Sequence, residues 1–317
     1  MRPPLRIVFF GTPEIAVPYL EALVEAGHRV CAVVTQPDRP AGRGRELRAA
    51  AVKVAAQGRG LPVLQPESCR EPRLPQALRQ SEAEMGVVVA YGNLLPCEVL
   101  DCPARGCVNV HYSLLPELRG AAPVQRALLA GLTETGVTVQ WMSPELDAGD
   151  IICAERVLIG PDDNCASLFA KLNAVGPRLL LQALATIAEG VAPRTPQDPT
   201  RATWAPPLTK TDCRIDWSEP AERVWNRIRA CAPRPGAFTA RGERKLKVLK
   251  AAIVPGLALA GEGQPGTVAE VAHEGYPVVY TGCGALALTE VQPEGKPPMP
   301  GADYARGARF SPGERLT

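Results

Sequence analysis

The sequence has few histidines, no paired-cysteine motif and no long apolar run. Its 317 residues include only three histidines. Neither H-E-x-x-H nor C-x-x-C occurs, so neither common kind of zinc site is recognisable, and we expect no bound metal. No export signal precedes the ten cysteines, which we therefore expect to be reduced thiols of a cytoplasmic protein.

The apolar runs are too short for a membrane span or for the core of a signal peptide. The start, MRPPLRIVFFG, is typical of a strand entering a turn, so we expect the mature chain to begin here, with no membrane partner. The turn itself, F-F-G-T-P-E, lacks the glycine patterns that cradle a pyrophosphate or triphosphate. This disfavours nicotinamide and ATP enzymes. No G-x-S-x-G motif indicates a serine nucleophile.

Short runs rich in Val and Ile recur in the first half of the chain. Near-continuous hydrophobicity of this kind indicates strands buried on both faces. The runs cover 5–10, 29–35, 85–92, 107–111 and 136–142. Helical spacing of apolar residues appears over 13–26 and 164–188. The alternation predicts an α/β fold with a doubly wound, mostly parallel, Rossmann-like sheet.

Prolines become frequent from about residue 190, which predicts a linker. We expect a catalytic domain over 1–190, a linker over 191–208 and a second domain over 209–317. The second domain combines a short helix near 219–230 with brief apolar runs separated by Gly and Pro, as in a small β-barrel of the OB-like kind. Residues 201–250 carry 12 basic and 5 acidic side chains, which suits a polyanionic partner or a solvated basic face equally well.

The stretch NVHYSLLPELRGAAP, residues 109–123, holds the strongest candidate chemistry. Residues two apart in a strand face the same way, so Asn109 and His111 project together near the carboxyl end of CVNVH. An amide N–H and an imidazole aimed at one point suit an acyl transfer, which needs an oxyanion donor and a group that moves a proton.

A carboxylate that orients the imidazole completes such a site. Asp147 is favoured because it follows the strand GVTVQWM and is expected at the same sheet edge, but Asp150 and Glu145 are rivals. The residues alone leave a second interpretation open, since a single His at a strand end is often a structural residue and Asn is common in turns.

Several motifs together resemble the formyltransferases that use 10-formyltetrahydrofolate, and most closely those acting on methionyl-tRNA. They extend over nearly the whole chain: I-V-F-x-G-T-P-E at the start, T-Q-P-D-R-P-A-G-R-G at 35–44, V-V-V-A-Y-G at 87–92, N-V-H-x-S-L-L-P-x-x-R-G-A-A-P-x-Q from 109, G-V-T-V, L-D-A-G-D, R-I-D-W at 214–217 and R-A-x-x-P-x-P-G-A at 229–237. The resemblance implies formyl transfer from 10-formyltetrahydrofolate to methionine on initiator tRNA by a monomer, without a metal.

The resemblance also assigns residues to roles. Asn109, His111 and Asp147 match the family's catalytic trio. The folate-binding positions are Ser113, Leu114, Leu115, Pro116, Tyr91 and Leu94. The tRNA-binding positions are Arg39, Arg43, Arg45 and Arg48, on a glycine-spaced loop, and Lys210 in the second domain. Phosphate contacts by these cations would make tRNA binding salt-dependent.

Four positions depart from the family's usual residues: Ile15, Tyr112, Pro207 and Arg234. Tyr112 concerns the shape of the site, because it replaces a small residue beside His111. Two other functions remain open: formyl transfer to an amino sugar attached to a nucleotide, which would use the same trio, and RNA binding without catalysis on the same scaffold. The arginine-rich loop favours a tRNA substrate over the sugar.

Overall fold

The structure is a computed structural model that describes residues 4–41, 46–255, 263–269 and 274–317. These residues form two compact units. Unit 1 comprises residues up to 123, 135–158 and 169–205, and unit 2 comprises 124–134, 159–168 and 206–317.

Unit 1 is built on a seven-stranded sheet with the order β5-β2-β1-β6-β7-β8-β9. The strands are β1 (Arg6–Gly11), β2 (Arg29–Val34), β5 (Val63–Leu64), β6 (Met85–Val89), β7 (Cys107–His111), β8 (Glu134–Trp141) and β9 (Ile151–Leu158), and β3 (Arg39–Ala41) pairs with β4 (Glu46–Arg48) as a separate hairpin. The five strands from β5 to β7 are parallel, whereas β8 runs antiparallel to β7. The predicted Rossmann-like sheet is confirmed.

Eight α-helices lie in the described ranges, and three of them stand where the sequence predicts helices. They are α1 (Val17–Glu25), α2 (Ala51–Gly58), α3 (Arg73–Gln80), α4 (Cys97–Leu100), α5 (Pro123–Leu129), α6 (Cys165–Ala188), α7 (Ala221–Cys231) and α8 (Gly301–Ala308). Pro18 stands in the first turn of α1, where the missing N–H has no intrahelical partner to lose. In α6, Gly176 leaves room for the Tyr19 hydroxyl, which a Cβ atom there would overlap.

Unit 2 contains a curled antiparallel sheet. Its strands are β10 (Ala237–Arg241), β11 (Arg244–Ile253), β12 (Val278–Tyr280), β13 (Ala285–Pro293) and β14 (Met299–Pro300), in the order β10-β11-β13-β12 with β14 beside β13. Isolated bridges lead from β12 to residue 268, from residue 267 to 315, and from residue 316 back to β10. This ring of pairings confirms the predicted small β-barrel.

Arg229 of α7 is a buried cation of unit 2. Its guanidinium donates to the carbonyl oxygens of Gly160 and Asp163 at 3.2 Å each and to the Asn226 side chain at 2.6 Å. The same group lies 3.8 Å from the ring centroid of Trp225, an ordinary cation–π distance. Burial lowers the pKa of this guanidinium. Segment 159–168 therefore supplies hydrogen-bond acceptors to the core of unit 2.

Residues 191–205, the first part of the proline-rich segment, belong to unit 1. Isolated bridges join Thr195 to Ile151 and Trp204 to Arg119. This segment is therefore held against the sheet. The division proposed from the sequence, at 1–190, 191–208 and 209–317, stays a prediction.

Candidate active site

Strand β7 carries two polar side chains on one face of the sheet. Val108 and Val110 are fully or almost fully buried, while Asn109 and His111 alternate with them and point to the opposite side. In the neighbouring strand β8, Gln140 lies opposite Asn109, and Thr138 lies opposite His111. Directly opposed residues share a face. The sheet thus presents four polar side chains together on one face, opposite the valines of the same strands.

Asp147 joins this group by a route that differs from the sequence argument. We expected Asp147 at the carboxyl edge of the sheet with His111, but β8 is antiparallel to β7, and its end at Trp141 lies opposite Val108. The premise of a shared strand edge is therefore wrong. The chain instead turns back after β8, so that the Asp147 carboxylate reaches the polar face, with Asp147 itself in the left-handed region at φ 50°.

The Asp147 carboxylate accepts hydrogen bonds on both oxygens. Oδ1 accepts from Asn109 Nδ2 at 3.3 Å and from Gln140 Nε2 at 3.2 Å. Oδ2 accepts from the backbone N–H of Gly120 at 2.9 Å. Since the side chain is only 11% exposed, these donors replace water as partners of the charge. The carboxylate is fixed in both position and orientation.

The imidazole of His111 lies between a carbonyl and this carboxylate. Nε2 is 2.9 Å from the Leu118 carbonyl oxygen, which can only accept, so Nε2 carries a proton. Nδ1 is 3.6 Å from Asp147 Oδ2, a distance too long for a direct hydrogen bond. The hydrogen bond at Nε2 orients the ring, while Nδ1 faces the Asp147 carboxylate without a direct hydrogen bond to it.

The two rival carboxylates do not face the imidazole. Asp150 has Arg194 as its charged partner, at 3.8 Å, and its backbone carbonyl accepts from Trp141. Glu145 is exposed. Asp147 is therefore the carboxylate that the structure brings to His111.

The turn Ser113–Pro116 follows His111 directly, and most of its side chains are buried. The Ser113 hydroxyl donates to the Glu117 carbonyl at 2.6 Å, and Leu115 and Pro116 are also buried. Leu114 is partly exposed and packs over Gly136, where a Cβ atom would collide with it. As folded here, the turn offers a ligand its backbone more than its side chains.

The two residues predicted on the loop after β6 have different environments. Tyr91 is 2% exposed and packs edge-on against Phe10. Its carbonyl oxygen accepts from Thr12 and Gln36. Leu94 is 73% exposed and is free to contact a ligand. Of the pair, only Leu94 offers its side chain to solvent.

Tyr112 does not alter the shape of the polar site. It follows His111, the last residue of β7, and its hydroxyl donates to Asn173 of α6 at 2.7 Å. Its ring packs edge-on against Tyr19 and Phe169. Burial raises its pKa to about 12. The larger side chain is therefore accommodated between helices.

Comparisons with known proteins cover nearly the whole chain. Residues 5–184 match the model of the formyl transferase family, and residues 207–309 match that of the formyl transferase C-terminal domain. A methionyl-tRNA formyltransferase of Moorella thermoacetica is 48% identical over 98% of this chain and 99% of its own length. One from Thermus thermophilus is 46% identical with the same coverage. The chain belongs to the methionyl-tRNA formyltransferase family.

A solved structure resembles the chain in fold alone. It is the N-formyltransferase of Helicobacter canadensis in complex with folinic acid and dTDP-3-aminofucose, with a TM-score of 0.67 and 16% identity. It covers 90% of this chain and 99% of its own. The family assignment therefore depends on the closer relatives, which are methionyl-tRNA formyltransferases.

The family resemblance assigns five basic residues to tRNA binding. The three that the structure describes are all exposed. Arg39 and Arg48 are exposed and opposite each other in the β3–β4 hairpin. Arg43 and Arg45 lie outside the described residues. Lys210 is exposed in unit 2. Two guanidinium groups therefore stand on neighbouring strands, where a phosphate can reach both.

Other residues of the site escaped the sequence analysis. Gln140 left a signal, because Thr138 and Gln140 alternate with valines in G-V-T-V-Q, which indicates a polar stripe in a buried strand. Gly120 and Leu118 act through backbone atoms, for which residue type gives no signal. Gln197 sits in the proline-rich segment, yet it donates to the carbonyl oxygens of Asp147 and Gly149.

Two cavities lie elsewhere. One, of about 950 Å³, is lined in unit 2 by residues that include Trp225, Arg229 and Tyr276; the other, of about 150 Å³, includes Trp141 and Arg194. Neither is lined by Asn109, His111 or Asp147. The candidate site is therefore identified by the polar side chains that meet around Asp147 and not by the volume of a cavity.

Within the described residues, no group of three or more His, Cys, Asp or Glu side chains is arranged to hold a metal ion. Every helix in the described ranges is too short or too polar to traverse a lipid bilayer.

Proposed function

We propose that the chain transfers the formyl group from N10 of 10-formyltetrahydrofolate to the α-amino group of methionine on initiator tRNA, for translation initiation. One observation carries the proposal: Asn109, His111 and Asp147 converge on the polar face of the sheet in a chain of the methionyl-tRNA formyltransferase family. The formyl donor and the tRNA are both substrates.

Asn109 is the first oxyanion donor. A primary amide has two N–H groups, and one of them donates to Asp147 Oδ1. The second is available to the oxygen of the formyl group. This oxygen gains negative charge when the methionine amine attacks the formyl carbon, so a fixed donor stabilises the tetrahedral intermediate more than the ground state.

His111 is the second donor. Its Nε2–H is held by the Leu118 carbonyl, which aims the Nδ1 edge at the reacting group. A ring protonated on both nitrogens donates from Nδ1 to the oxyanion and brings positive charge beside it. Asp147 Oδ2 lies 3.6 Å from Nδ1 and places a carboxylate beside this donor.

Proton movement completes the reaction. The attacking amine forms the new C–N bond and then loses a proton, which Asp147 accepts through a water molecule. The bond between the formyl carbon and N10 breaks as N10 receives a proton in return. No covalent enzyme intermediate is formed, so no nucleophilic side chain is required.

The remaining predicted residues bind the substrates. Leu94 gives the pterin an apolar surface, while the turn Ser113–Pro116 and Tyr91 border it mainly through the backbone. Arg39, Arg43, Arg45, Arg48 and Lys210 contact the tRNA backbone, where guanidinium groups suit phosphate geometry.

We also propose a monomer that works in the cytoplasm. All ten cysteines lie within the described part of the chain, and none of them forms a disulfide, which suits a reducing compartment. Sedimentation of the purified protein tests the monomer.

The test is a formylation assay. The purified chain is incubated with 10-formyltetrahydrofolate and either methionyl initiator tRNA or a dTDP-amino sugar, and the formylated product is measured. We expect product from the tRNA. Product from the sugar alone would assign the second substrate class, and tRNA binding without turnover would assign a binding protein. His111→Ala should lose turnover while its tRNA affinity stays near that of the wild type.

A further inference from the structure

Gln197 connects the candidate site to the proline-rich segment. Its Nε2 lies 2.9 Å from the carbonyl oxygen of Asp147, 2.7 Å from that of Gly149 and 3.1 Å from Oε1 of Gln140. One amide group therefore binds the backbone on both sides of residue 148 and also the side chain of Gln140, which itself donates to Asp147.

The acceptor side of the same amide binds a buried arginine. Gln197 Oε1 accepts from Nε of Arg119 at 3.1 Å and from its NH2 group at 2.7 Å. Arg119 is 7% exposed and stands between Leu118, whose carbonyl holds His111, and Gly120, whose N–H holds Asp147. Gln197 thus joins the two segments that position the imidazole and the carboxylate.

The segment around Asp147 needs such a partner. Asp147 is a non-glycine residue with φ 50°, a conformation that costs free energy unless its surroundings enforce it. Gly149 packs so tightly that a Cβ atom would overlap the Trp141 carbonyl oxygen. The donors of Gln197 satisfy carbonyl oxygens on both sides of this strained turn.

We propose that Gln197 is a positioning residue of the formyl transfer. Its side-chain N–H groups hold the 147–149 backbone so that the Asp147 carboxylate faces His111. The inference rests on the proposed function for its kinetic consequences, whereas the hydrogen bonds can be tested in the protein without substrates.

Gln197→Glu separates donation from packing. A glutamate has nearly the same shape and keeps an oxygen for Arg119, which it would bind as an ion pair. It has no N–H group, so it places an acceptor against the acceptors of Asp147, Gly149 and Gln140. If Gln197 only anchored Arg119, this variant would behave as the wild type or better.

We expect Gln197→Glu to lower kcat roughly tenfold to a hundredfold, as for a displaced catalytic group, with little change in KM for tRNA. The pH–rate profile should also move, because the carboxylate no longer faces the imidazole at a fixed distance. Asp198→Asn is the matched control, because Asp198 is the neighbour of Gln197 in the chain. The Asp198 carboxylate accepts hydrogen bonds from Thr200 and has none to the 147–149 turn.

A double-variant cycle tests whether Gln197 acts through Asp147. In an Asp147→Asn background, Gln197→Glu should cause no further loss of kcat, since the group that it positions is already altered. Equal losses in both backgrounds would overturn the inference.

Hydrogen exchange gives a readout besides activity. The backbone amides of 147–149 should exchange faster in Gln197→Glu than in the wild type at equal thermal stability. If they do not, and if kcat and the pH profile also match the wild type, Gln197 is not a positioning residue. If the wild type itself were inactive, the proposed function would be contradicted. The hydrogen-exchange result would then still test whether Gln197 holds the 147–149 backbone.

Discussion

Gly120 donates its backbone N–H to Asp147 Oδ2 at 2.9 Å and also faces the Ala205 carbonyl oxygen closely. A Cβ atom at this position would lie 2.7 Å from that oxygen, and the residue has φ 123°, a conformation suited to glycine. The hydrogen bond to the carboxylate therefore depends on a residue without a side chain.

Gly120→Ala should destabilise unit 1 and weaken the site. We expect a loss of about 3 kcal/mol or more in the free energy of unfolding, from backbone strain and overlap together, and a fall in kcat. Urea denaturation and the formylation assay measure the two effects. Gly190→Ala is the control, because that glycine has φ 74° but open space around it. It should cost about 1 kcal/mol and leave kcat unchanged. Equal losses in both variants would contradict the steric argument.

Asp147→Asn should lower kcat about a hundredfold or more, the range found for a lost acid–base group. The neutral amide no longer stabilises a charged His111, and one orientation of it sets an N–H group against the donors of Asn109 and Gln140. Asp150→Asn changes the rival carboxylate and should remain close to the wild-type rate. Steady-state kinetics with methionyl-tRNA compares the kcat values of the two variants. If Asp150→Asn were the slower one, the catalytic carboxylate would be Asp150 and not Asp147.

Replacing Arg39 and Arg48 with alanine should weaken tRNA binding without affecting folate binding. Loss of two phosphate contacts should reduce the slope of log K against log salt by about 1.5. Fluorescence titrations at several salt concentrations measure this slope. Arg70 and Arg73, two exposed arginines of the same unit, make the matched double control. If both double variants change the slope equally, general charge and not the hairpin attracts the tRNA.

Asp212 should make unit 2 sensitive to acid. Partial burial raises the pKa of its carboxyl group, but the hydrogen bonds from Thr209 and Arg126 together lower the pKa by more than burial raises it. The pKa therefore lies below its usual value. A lowered folded-state pKa stabilises the protein above the unfolded-state pKa of about 3.9, and this stabilisation is lost as pH falls through the folded-state value.

Asp212→Asn should therefore unfold more easily than the wild type at pH 7, by about 1 kcal/mol, with the difference vanishing as the pH falls through the lowered folded-state pKa. Chemical denaturation across this pH range follows the difference. Asp162→Asn, at an exposed carboxylate of the same unit, should show no such trend. A difference that persists in acid would exclude the carboxylate as its origin.

Much of the fold could be predicted because its signals are local. Each of the five Val- and Ile-rich runs became a strand, and the apolar stripe over 164–188 became α6, since burial fixes the period of the pattern. Strand direction is not local. The antiparallel course of β8 follows from the route of the chain between β7 and β8, so the expected position of Asp147 was reached through a wrong premise.

The site shows the same division. Asn109 and His111 could be paired from their spacing in a strand, whereas Gly120, Leu118 and Gln197 contribute through contacts between distant segments. Gln197 is 50 residues from Asp147 along the chain. No periodicity connects such positions, and a glutamine among prolines has the composition of an ordinary linker.

The hydrogen bonds of Arg229 to Gly160 and Asp163 limit where the chain can be cut. A severed piece starting at residue 209 would carry this guanidinium without the carbonyl oxygens that compensate its desolvation. Such a piece is expected to aggregate or unfold when expressed alone, and adding residues 159–168 in trans should restore part of its solubility.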